Sequence, residues 1–276
     1  MKRAINIFIS IIYLIYIQLK FHFRRRSDTI YCTVIFYHSV PYDKINRFKK
    51  QINILNIITT PISLSYEGSW NNKLRYSIVT FDDAFKSLIN NGVPVLEKAT
   101  TPFTLFIPAG QLGKNPGWLK NTGRKDEFDV VASIEELLRI PSEISTFASH
   151  TINHYDLTQI KYKEALTEIR DSKKILESIL KKEINCFSFP YGRYTGKIVE
   201  CCNEAGYNQV FCILPESPLA PLKKYVKGRI RVDPDDWYIE FILKILGGYG
   251  WRAFPPSIKQ RFKKWQNANH YKTSYH

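Results

Sequence analysis

The chain is poor in the features that would make it a disulfide-stapled, zinc-knuckle or multi-domain repeat protein. Its 276 residues include five cysteines, an odd number, with Cys201 and Cys202 adjacent and no CxxC spacing. This pattern excludes a disulfide framework and a cysteine-ligated zinc knuckle, so we expect the cysteines to be packing residues. A long Gly/Ser/Pro linker and an internal repeat are also missing, which favours one domain with a full core.

Acidic residues are missing from both ends of the chain. Residues 1–27 and residues 252–276 each hold six lysines and arginines and no aspartate or glutamate. Subtracting these twelve charges from the net +15 leaves about +3, so the middle of the chain is nearly balanced. Because a nucleic-acid enzyme more often carries its basic stripe on the folded domain, this distribution argues against a nucleic-acid partner.

The N-terminal end carries the longest apolar run, AINIFISIIYLIYIQL. As a helix it is roughly 24 Å long and spans the roughly 30 Å core of a bilayer only by recruiting Lys20 to Phe23. An A-x-A cleavage site does not follow it, so an uncleaved membrane anchor is expected rather than a signal peptide. The alternative is a helix buried against the domain. Basic residues flank both sides, so the orientation across a membrane stays open.

Beyond this segment, apolar β-branched runs alternate with segments of helical spacing. The clearest helix is KEALTEIRDSKKILESIL, in which apolar residues recur at three and four. The runs are YCTVIFYHSV, RYSIVTFDD, PFTLFIPAG, ISTFASH, CFSFPYG and YNQVFCIL. Continuous apolar strands alternating with helices predict an α/β fold with a parallel sheet, open or closed into a barrel.

Polar residues stand where several of these predicted strands end. Asp82 and Asp83 close the run SIVTF, and burying two adjacent carboxylates is costly unless a cation meets them. The alternative is that they cap a helix that begins near Ala84. His38, His150 and Tyr191 end other strands, and the C-terminal ends of strands are where barrel enzymes assemble their sites. These positions predict one shared site.

His150 and His154 are spaced as metal ligands. Being four residues apart, they fall on one side of a helical turn, as a shared metal ion requires. Two imidazoles and one carboxylate form a facial triad that leaves coordination positions open for water and substrate. One of the two aspartates can then be a ligand, and the other is free to act as a base.

The ordered motifs TFDDAF, SHTINH and FPYGRY resemble the first three motifs of the NodB-homology polysaccharide deacetylases, carbohydrate esterase family 4. The upstream YHSV with FKKQINIL and the downstream GRIRV resemble flanking signatures of the bacterial surface-polysaccharide branch of this family. The resemblance runs from about Val34 to Val232. It implies a distorted (β/α)7-type barrel, and the predicted organisation becomes an apolar anchor helix over 1–27, the deacetylase domain over 28–250 and a basic tail over 251–276.

The resemblance also implies roles for single residues. Asp82 is the expected general base, and Asp83, His150 and His154 are the expected ligands of a divalent metal ion, zinc first, with cobalt, nickel or iron as alternatives. Pro190 and Tyr191 belong to the motif that lines the acetyl pocket, and the Tyr191 backbone N–H is expected to help hold the oxyanion.

Three departures from the family pattern qualify these expectations. Ala84 replaces the usual glycine after the paired aspartates, and Ser188 stands where many members carry the arginine that orients the base. The late Leu-His motif that supplies the catalytic acid is missing, because the histidines after His154 lie in the basic tail. His38 of YHSV is at the correct strand end to act as this acid, with a structural role as the alternative.

These observations predict a metal-dependent hydrolase that removes N-acetyl groups from amino sugars of a surface polysaccharide or its lipid-linked precursor. The expected location is a bacterial inner or cytoplasmic membrane, with the facing side undetermined. A non-catalytic glycan-binding member of the same fold is the alternative, because the late histidine and the arginine of the third motif are missing.

Overall fold

The computed structural model describes residues 2–24, 30–222 and 224–253. Arg25 and Arg26 of the predicted basic flank, and the predicted tail from residue 254 onward, lie outside this range. The helices are α1 (Lys2–Arg24), α2 (Ile45–Ile58), α3 (Val93–Lys98), α4 (Ile134–Leu138), α5 (Tyr162–Leu180), α6 (Gly196–Glu204) and α7 (Tyr238–Ile245). The strands are β1 (Tyr31–Tyr37), β2 (Thr60–Pro61), β3 (Arg75–Phe81), β4 (Phe103–Ile107), β5 (Ser145–Ser149), β6 (Cys186–Ser188), β7 (Gln209–Cys212), β8 (Val226–Gly228) and β9 (Ile230–Arg231).

All described strand pairs of the sheet are parallel, in the order β8-β7-β6-β5-β4-β3-β1-β9, with β2 paired to β3. The two edge strands, β8 and β9, are separated in the chain by Arg229 alone. One extended segment therefore pairs with β7 through its first half and with β1 through its second half. This arrangement nearly closes the sheet, and the predicted distorted (β/α)7-type barrel is confirmed.

The strands bury side chains on both faces, as their continuous apolar sequences predict. The inner face of the barrel holds a compact cluster that includes Val34, Ile78, Phe106 and Phe211. The outer face packs under the helices in a larger cluster, to which β1 contributes Ile35 and Tyr37 and β3 contributes Val79 and Phe81. Successive residues of one strand thus serve two cores, because strand side chains alternate between faces.

The predicted amphipathic helix is α5. Its residues Ala165, Ile169, Leu176 and Leu180 are buried, and Leu166 and Ile179 are partly buried against the same core. The helix ends at Leu180, and the backbone of the next residue, Lys181, is left-handed with φ of 52°. The apolar stripe also contains Glu168, which is only 3% exposed, and this buried acid points to a role at the strand ends above it.

α1 lies along the outside of the barrel. Its N-terminal end meets the segment that follows β9, where Arg3 Nε donates to Glu240 Oε2 at 2.6 Å. Its C-terminal half meets the start of β1, where the rings of Phe21 and Tyr31 are 5.1 Å apart. The helix packs against α7 and the turn at Gly250–Ala253.

Candidate active site

The paired aspartates begin the loop that leaves β3. Both side chains are buried, and the Asp82 N–H donates to the Tyr37 carbonyl at 3.0 Å, which keeps β1 and β3 together up to the site. Asp83 and Ala84 are both left-handed, with φ of 71° and 52°, and the next helical turn starts only at Lys86. An N-cap residue is normally extended. The helix-capping alternative is therefore wrong, and the turn instead directs the carboxylates to the barrel mouth.

Asp83, His150 and His154 converge at this mouth. Asp83 Oδ1 lies 3.1 Å from His154 Nε2 and 3.6 Å from His150 Nε2, and one donor atom from each residue fits within 4.8 Å of the others. All three side chains are buried. The structure thus brings together the three ligands that the motifs imply, from β3 and β5.

The donor set fits a transition-metal ion. Donor atoms that share one ion at about 2.1 Å lie about 3.0 to 3.4 Å apart, close to the separations of Asp83 Oδ1 from the two imidazoles. Although His154 Nε2 lies 3.1 Å away, the buried Asp83 Oδ1 makes no well-formed hydrogen bond with a described residue, which is costly unless a cation meets it. His150 Nδ1 lies 2.7 Å from the Ser188 carbonyl, so donation there leaves Nε2 free to face the ion.

The two histidines meet through a loop and not through a helical turn, which corrects the sequence expectation. Thr151 and His154 are left-handed, with φ of 69° and 60°. The loop is held by Glu168 of α5, whose Oε2 accepts the N–H groups of Ile152 and Asn153 at 2.9 and 2.8 Å. Glu168 is a positioning residue that the sequence reasoning missed, although an acid on an apolar helix stripe is a readable signal.

Asp82 is paired with Arg229, the residue between β8 and β9. The guanidinium makes two parallel hydrogen bonds to the carboxylate, Nη1 to Oδ1 at 2.7 Å and Nη2 to Oδ2 at 2.8 Å. Arg229 is fully buried, and its remaining contacts are Thr80 Oγ1 at 3.1 Å and Ser188 Oγ at 2.6 Å. Burial alone would raise the pKa of Asp82, but this guanidinium outweighs it and holds the pKa below its ordinary value.

Arg229 supplies the guanidinium that is missing from the third motif, where Ser188 stands. The family's arginine in the third motif is absent, yet a guanidinium reaches Asp82 from the opposite edge of the sheet, and Ser188 is small enough to accept its hydrogen bond. The rings of Phe36, Phe106 and Phe211 lie beneath the guanidinium, 4.6 to 5.9 Å from its carbon. The sequence reasoning quoted GRIRV as a signature but did not assign Arg229 this role.

His38 and Tyr191 lie at the same mouth. His38 follows β1 and is half-buried, and burial holds its pKa below the ordinary value because it outweighs the opposing effect of the nearby Asp83 and Asp82 carboxylates. Tyr191 follows β6 in left-handed backbone, with φ of 57°, and its ring meets the His154 ring edge-on at 5.0 Å. Burial raises the pKa of its phenol. Pro190 is buried beside it.

A cleft of about 610 Å³ opens beside His154. The Trp118 ring stacks on the His154 ring at 4.4 Å and forms one wall. Tyr155 and Tyr191 are partly exposed on the other side, and an ion pair of 2.6 Å between Arg193 and Asp156 lies at the rim. His154, one of the three candidate ligands, therefore borders a cleft that solvent and a ligand can enter.

The sequence profile of the polysaccharide deacetylase family matches residues 71–210, which contain the aspartate pair, His150, His154 and Tyr191. The chain belongs to the polysaccharide deacetylase family. This places it among the hydrolases that act on carbon–nitrogen bonds other than peptide bonds, and the resemblance read from the motifs is confirmed.

Curated relatives of this deacetylase are distant in sequence. YxkH of Bacillus subtilis is 25% identical over 157 residues, 57% of this chain, so the alignment spans about half (51%) of that relative's length. The poly-beta-1,6-N-acetyl-D-glucosamine N-deacetylase of Staphylococcus aureus is 22% identical over 251 residues, 84% of this chain and 83% of that protein.

Solved structures share the fold. IcaB from Ammonifex degensii superposes with a TM-score of 0.63 at 21% identity, covering 83% of this chain and 98% of that one. The deacetylase PplD of Streptococcus pyogenes gives 0.61 at 20% identity, covering 79% and 99%. The shared barrel therefore extends over most of the chain.

The ligand set predicts the metal content of variants. Replacing His154 with alanine should remove the bound ion, because it deletes one of three protein donors. Asp82→Asn should retain the ion, since Asp82 is committed to Arg229. Elemental analysis after dialysis measures both, with the exposed His22→Ala as a control. Full metal occupancy in His154→Ala would show that the site is assigned incorrectly.

The buried ion pair predicts strong coupling between its partners. Arg229→Met should lower the free energy of unfolding by about 3 to 5 kcal/mol, because it leaves a buried carboxylate without a counter-charge. Adding Asp82→Asn should recover much of this loss, since no net charge then remains. Urea denaturation measures the cycle. Arg193→Met, which breaks an exposed ion pair, should cost less than about 1 kcal/mol. Additive effects of the two buried substitutions would contradict the coupling.

Proposed function

We propose that the chain is a metal-dependent N-deacetylase that hydrolyses the acetamide groups of amino sugars in a surface polysaccharide or its lipid-linked precursor. The observation that carries this proposal is the placement of one ionised carboxylate, Asp82, directly beside a three-donor metal site at the mouth of the barrel. Amide hydrolysis needs a base, a carbonyl activator and an open approach, and we assign these to Asp82, the metal site and the cleft beside His154.

We assign each step of the reaction to a residue at the barrel mouth. A divalent ion supplies the Lewis acidity that polarises the acetamide carbonyl and makes water a stronger acid. Asp82 accepts the proton of the attacking water, and Arg229 keeps its carboxylate ionised and oriented. His38 donates a proton to the departing nitrogen, and the Tyr191 N–H contributes to holding the oxyanion. A C–O bond forms, the C–N bond breaks, and acetate and a free amine leave.

Zinc is the proposed ion. Two imidazole nitrogens and one carboxylate oxygen with open positions suit zinc in hydrolytic sites. The same facial donor set also accepts cobalt, nickel or iron, because geometry and availability, more than affinity, decide the occupant.

The cleft suits a sugar. Trp118, Tyr155 and Tyr191 offer apolar ring faces with polar tips, and Asn153 and Asp156 add hydrogen-bonding groups. The Staphylococcus aureus relative is named for a poly-N-acetylglucosamine substrate, which supports an N-acetylhexosamine glycan here.

We propose a membrane location for the deacetylase domain, with residues 1–27 as the anchor and the basic tail as an electrostatic aid. One described helix, over Arg3–Phe23, is long and apolar enough to cross a membrane. A lipid-linked substrate would be reached at the same surface.

Acetate release tests the function. A panel of N-acetylhexosamine glycans should lose acetate with the metal-loaded protein and not after chelation. Asp82→Asn should lower turnover by roughly 10²- to 10⁴-fold while metal stays bound, the usual range for one general base. His22→Ala should match the unaltered protein. Metal binding and glycan binding without acetate release would instead favour the non-catalytic glycan-binding alternative.

His38 has its own test. His38→Ala should leave metal content nearly intact and lower turnover on an amide by roughly 10²- to 10⁴-fold. The loss should be smaller on an activated ester, because a good leaving group needs no proton. Equal losses on both substrates would make His38 structural, and loss of bound metal would make it a ligand.

A further inference from the structure

Ile17 and Phe21 of α1 are buried against the domain, and the helix is also apolar on its outer face. In this α1 differs from a helix on a soluble protein, which exposes a polar face. Its polar residues Ser10 and Gln18 face the barrel: Trp251 Nε1 donates to Ser10 Oγ at 2.9 Å, and Gln18 Nε2 donates to the Tyr31 hydroxyl at 3.2 Å. The opposite face is exposed and apolar. This exposed stripe consists of Ile5, Phe8, Ile11, Ile12, Ile15, Tyr16, Leu19 and Phe23.

The inner face of α1 is fixed to the domain along its length. Arg3 is held by Glu240 at one end, and Arg75 Nη2 donates to Gln18 Oε1 at 2.8 Å near the other. Between them the backbones approach so closely that a Cβ on Gly248 would lie 3.0 Å from the Ser10 carbonyl oxygen, and one on Gly250 would lie 2.8 Å from the Tyr13 ring. A helix held in this way cannot cross a bilayer without first breaking all of these contacts.

Cationic side chains border the stripe. A cleft of about 670 Å³ runs beside α1, lined by Ile15 and Leu19 on the helix and by Lys73 and Arg75 of the domain. On the helix itself, Lys20 Nζ lies 5.6 Å from the centre of the Tyr16 ring. Residues 1–27 contain no acid. The apolar side chains of the stripe match the acyl region of an anionic lipid, and the neighbouring lysine and arginine side chains match its phosphates.

We propose that α1 is an in-plane membrane helix: it stays docked on the barrel and inserts its exposed stripe into the interface of an anionic bilayer. From Ile5 to Phe23 the stripe is about 27 Å long at 1.5 Å per residue, enough for a continuous line of contact. This inference rests on the proposed membrane location and does not depend on the proposed chemistry.

The docked helix also sets the orientation of the active site. Arg3, at the start of α1, lies next to the segment after β9, at the end of the barrel where the site opens. Gln18 and Phe21 lie at the opposite end, where β1 and β3 begin. The stripe is therefore roughly parallel to the barrel axis. With the stripe in the interface, the barrel lies on its side and the site opens along the membrane surface.

Vesicle flotation of the full chain tests the contact. The protein should float with vesicles of equal parts phosphatidylglycerol and phosphatidylcholine, and less with phosphatidylcholine alone. Ile12→Glu/Ile15→Glu should lower the partition coefficient on the order of a hundredfold, because burying one such side chain is worth about tenfold or more. Ile57→Glu/Phe128→Glu, at exposed apolar positions on other elements, should bind as the unaltered protein does. Both double variants should unfold at unchanged urea concentration, since all four positions are exposed.

Labelling from one side distinguishes lying on a membrane from spanning it. Ala4→Cys and His22→Cys place thiols at exposed positions near the two ends of α1. The native cysteines are buried or half-buried, and the unaltered protein measures their background labelling. An impermeant maleimide should label both positions in one of two preparations, spheroplasts or inverted membrane vesicles, and neither in the other. Opposite labelling of the two ends would overturn the proposal in favour of a spanning helix.

Two further outcomes would also overturn it. Equal flotation of the stripe variant and its control would show that the exposed face does not meet lipid. The second outcome is a dimer in the absence of detergent that does not bind vesicles and that the stripe substitutions convert to monomer. Measured by light scattering, it would show that the face is covered by a second copy of the chain.

Discussion

The buried pair between Asp82 and Arg229 is the interaction on which the rest of the site depends. Removing two opposite charges from water is expensive, and the cost is offset only where geometry and hydrogen bonding are nearly complete. Here the guanidinium is bidentate on the carboxylate, is bonded to Thr80 and Ser188, and rests on aromatic rings inside the barrel. Arg229 joins β8 to β9, so the residue that closes the sheet also orients the Asp82 carboxylate and keeps it ionised.

Closure of the barrel also supports strained backbone around the site. Five residues at the mouth are left-handed although none is glycine: Asp83, Ala84, Thr151, His154 and Tyr191. Each such residue costs on the order of 1 to 2 kcal/mol, so the conformation persists only where surrounding contacts fix it. Glu168 supplies such contacts for the loop between the histidines, and the Ala132 N–H does so by donating to the Ala84 carbonyl at 2.8 Å.

The two faces of α1 suit two different surroundings. Its inner face is bound to the domain through Arg3, Ser10 and Gln18, while its outer face carries the exposed apolar stripe. The two sequence interpretations of this segment, a membrane anchor and a helix packed on the domain, are therefore not exclusive. Packing on the domain is what the structure shows, and the membrane contact is the proposal that the remaining face supports.

Apolar runs and short motifs such as TFDDAF and SHTINH were enough to predict six of the described strands, β1 and β3 to β7, the long helix α5 and the polar residues at the strand ends, because these depend on local pattern. The way in which His150 and His154 come together follows from the folded chain, since their loop takes its shape from Glu168 on a later helix. The folded chain also pairs Arg229 with Asp82, 147 residues away. That contact depends on one segment pairing with both β7 and β1, a register that no local pattern specifies, because it forms only when the barrel closes.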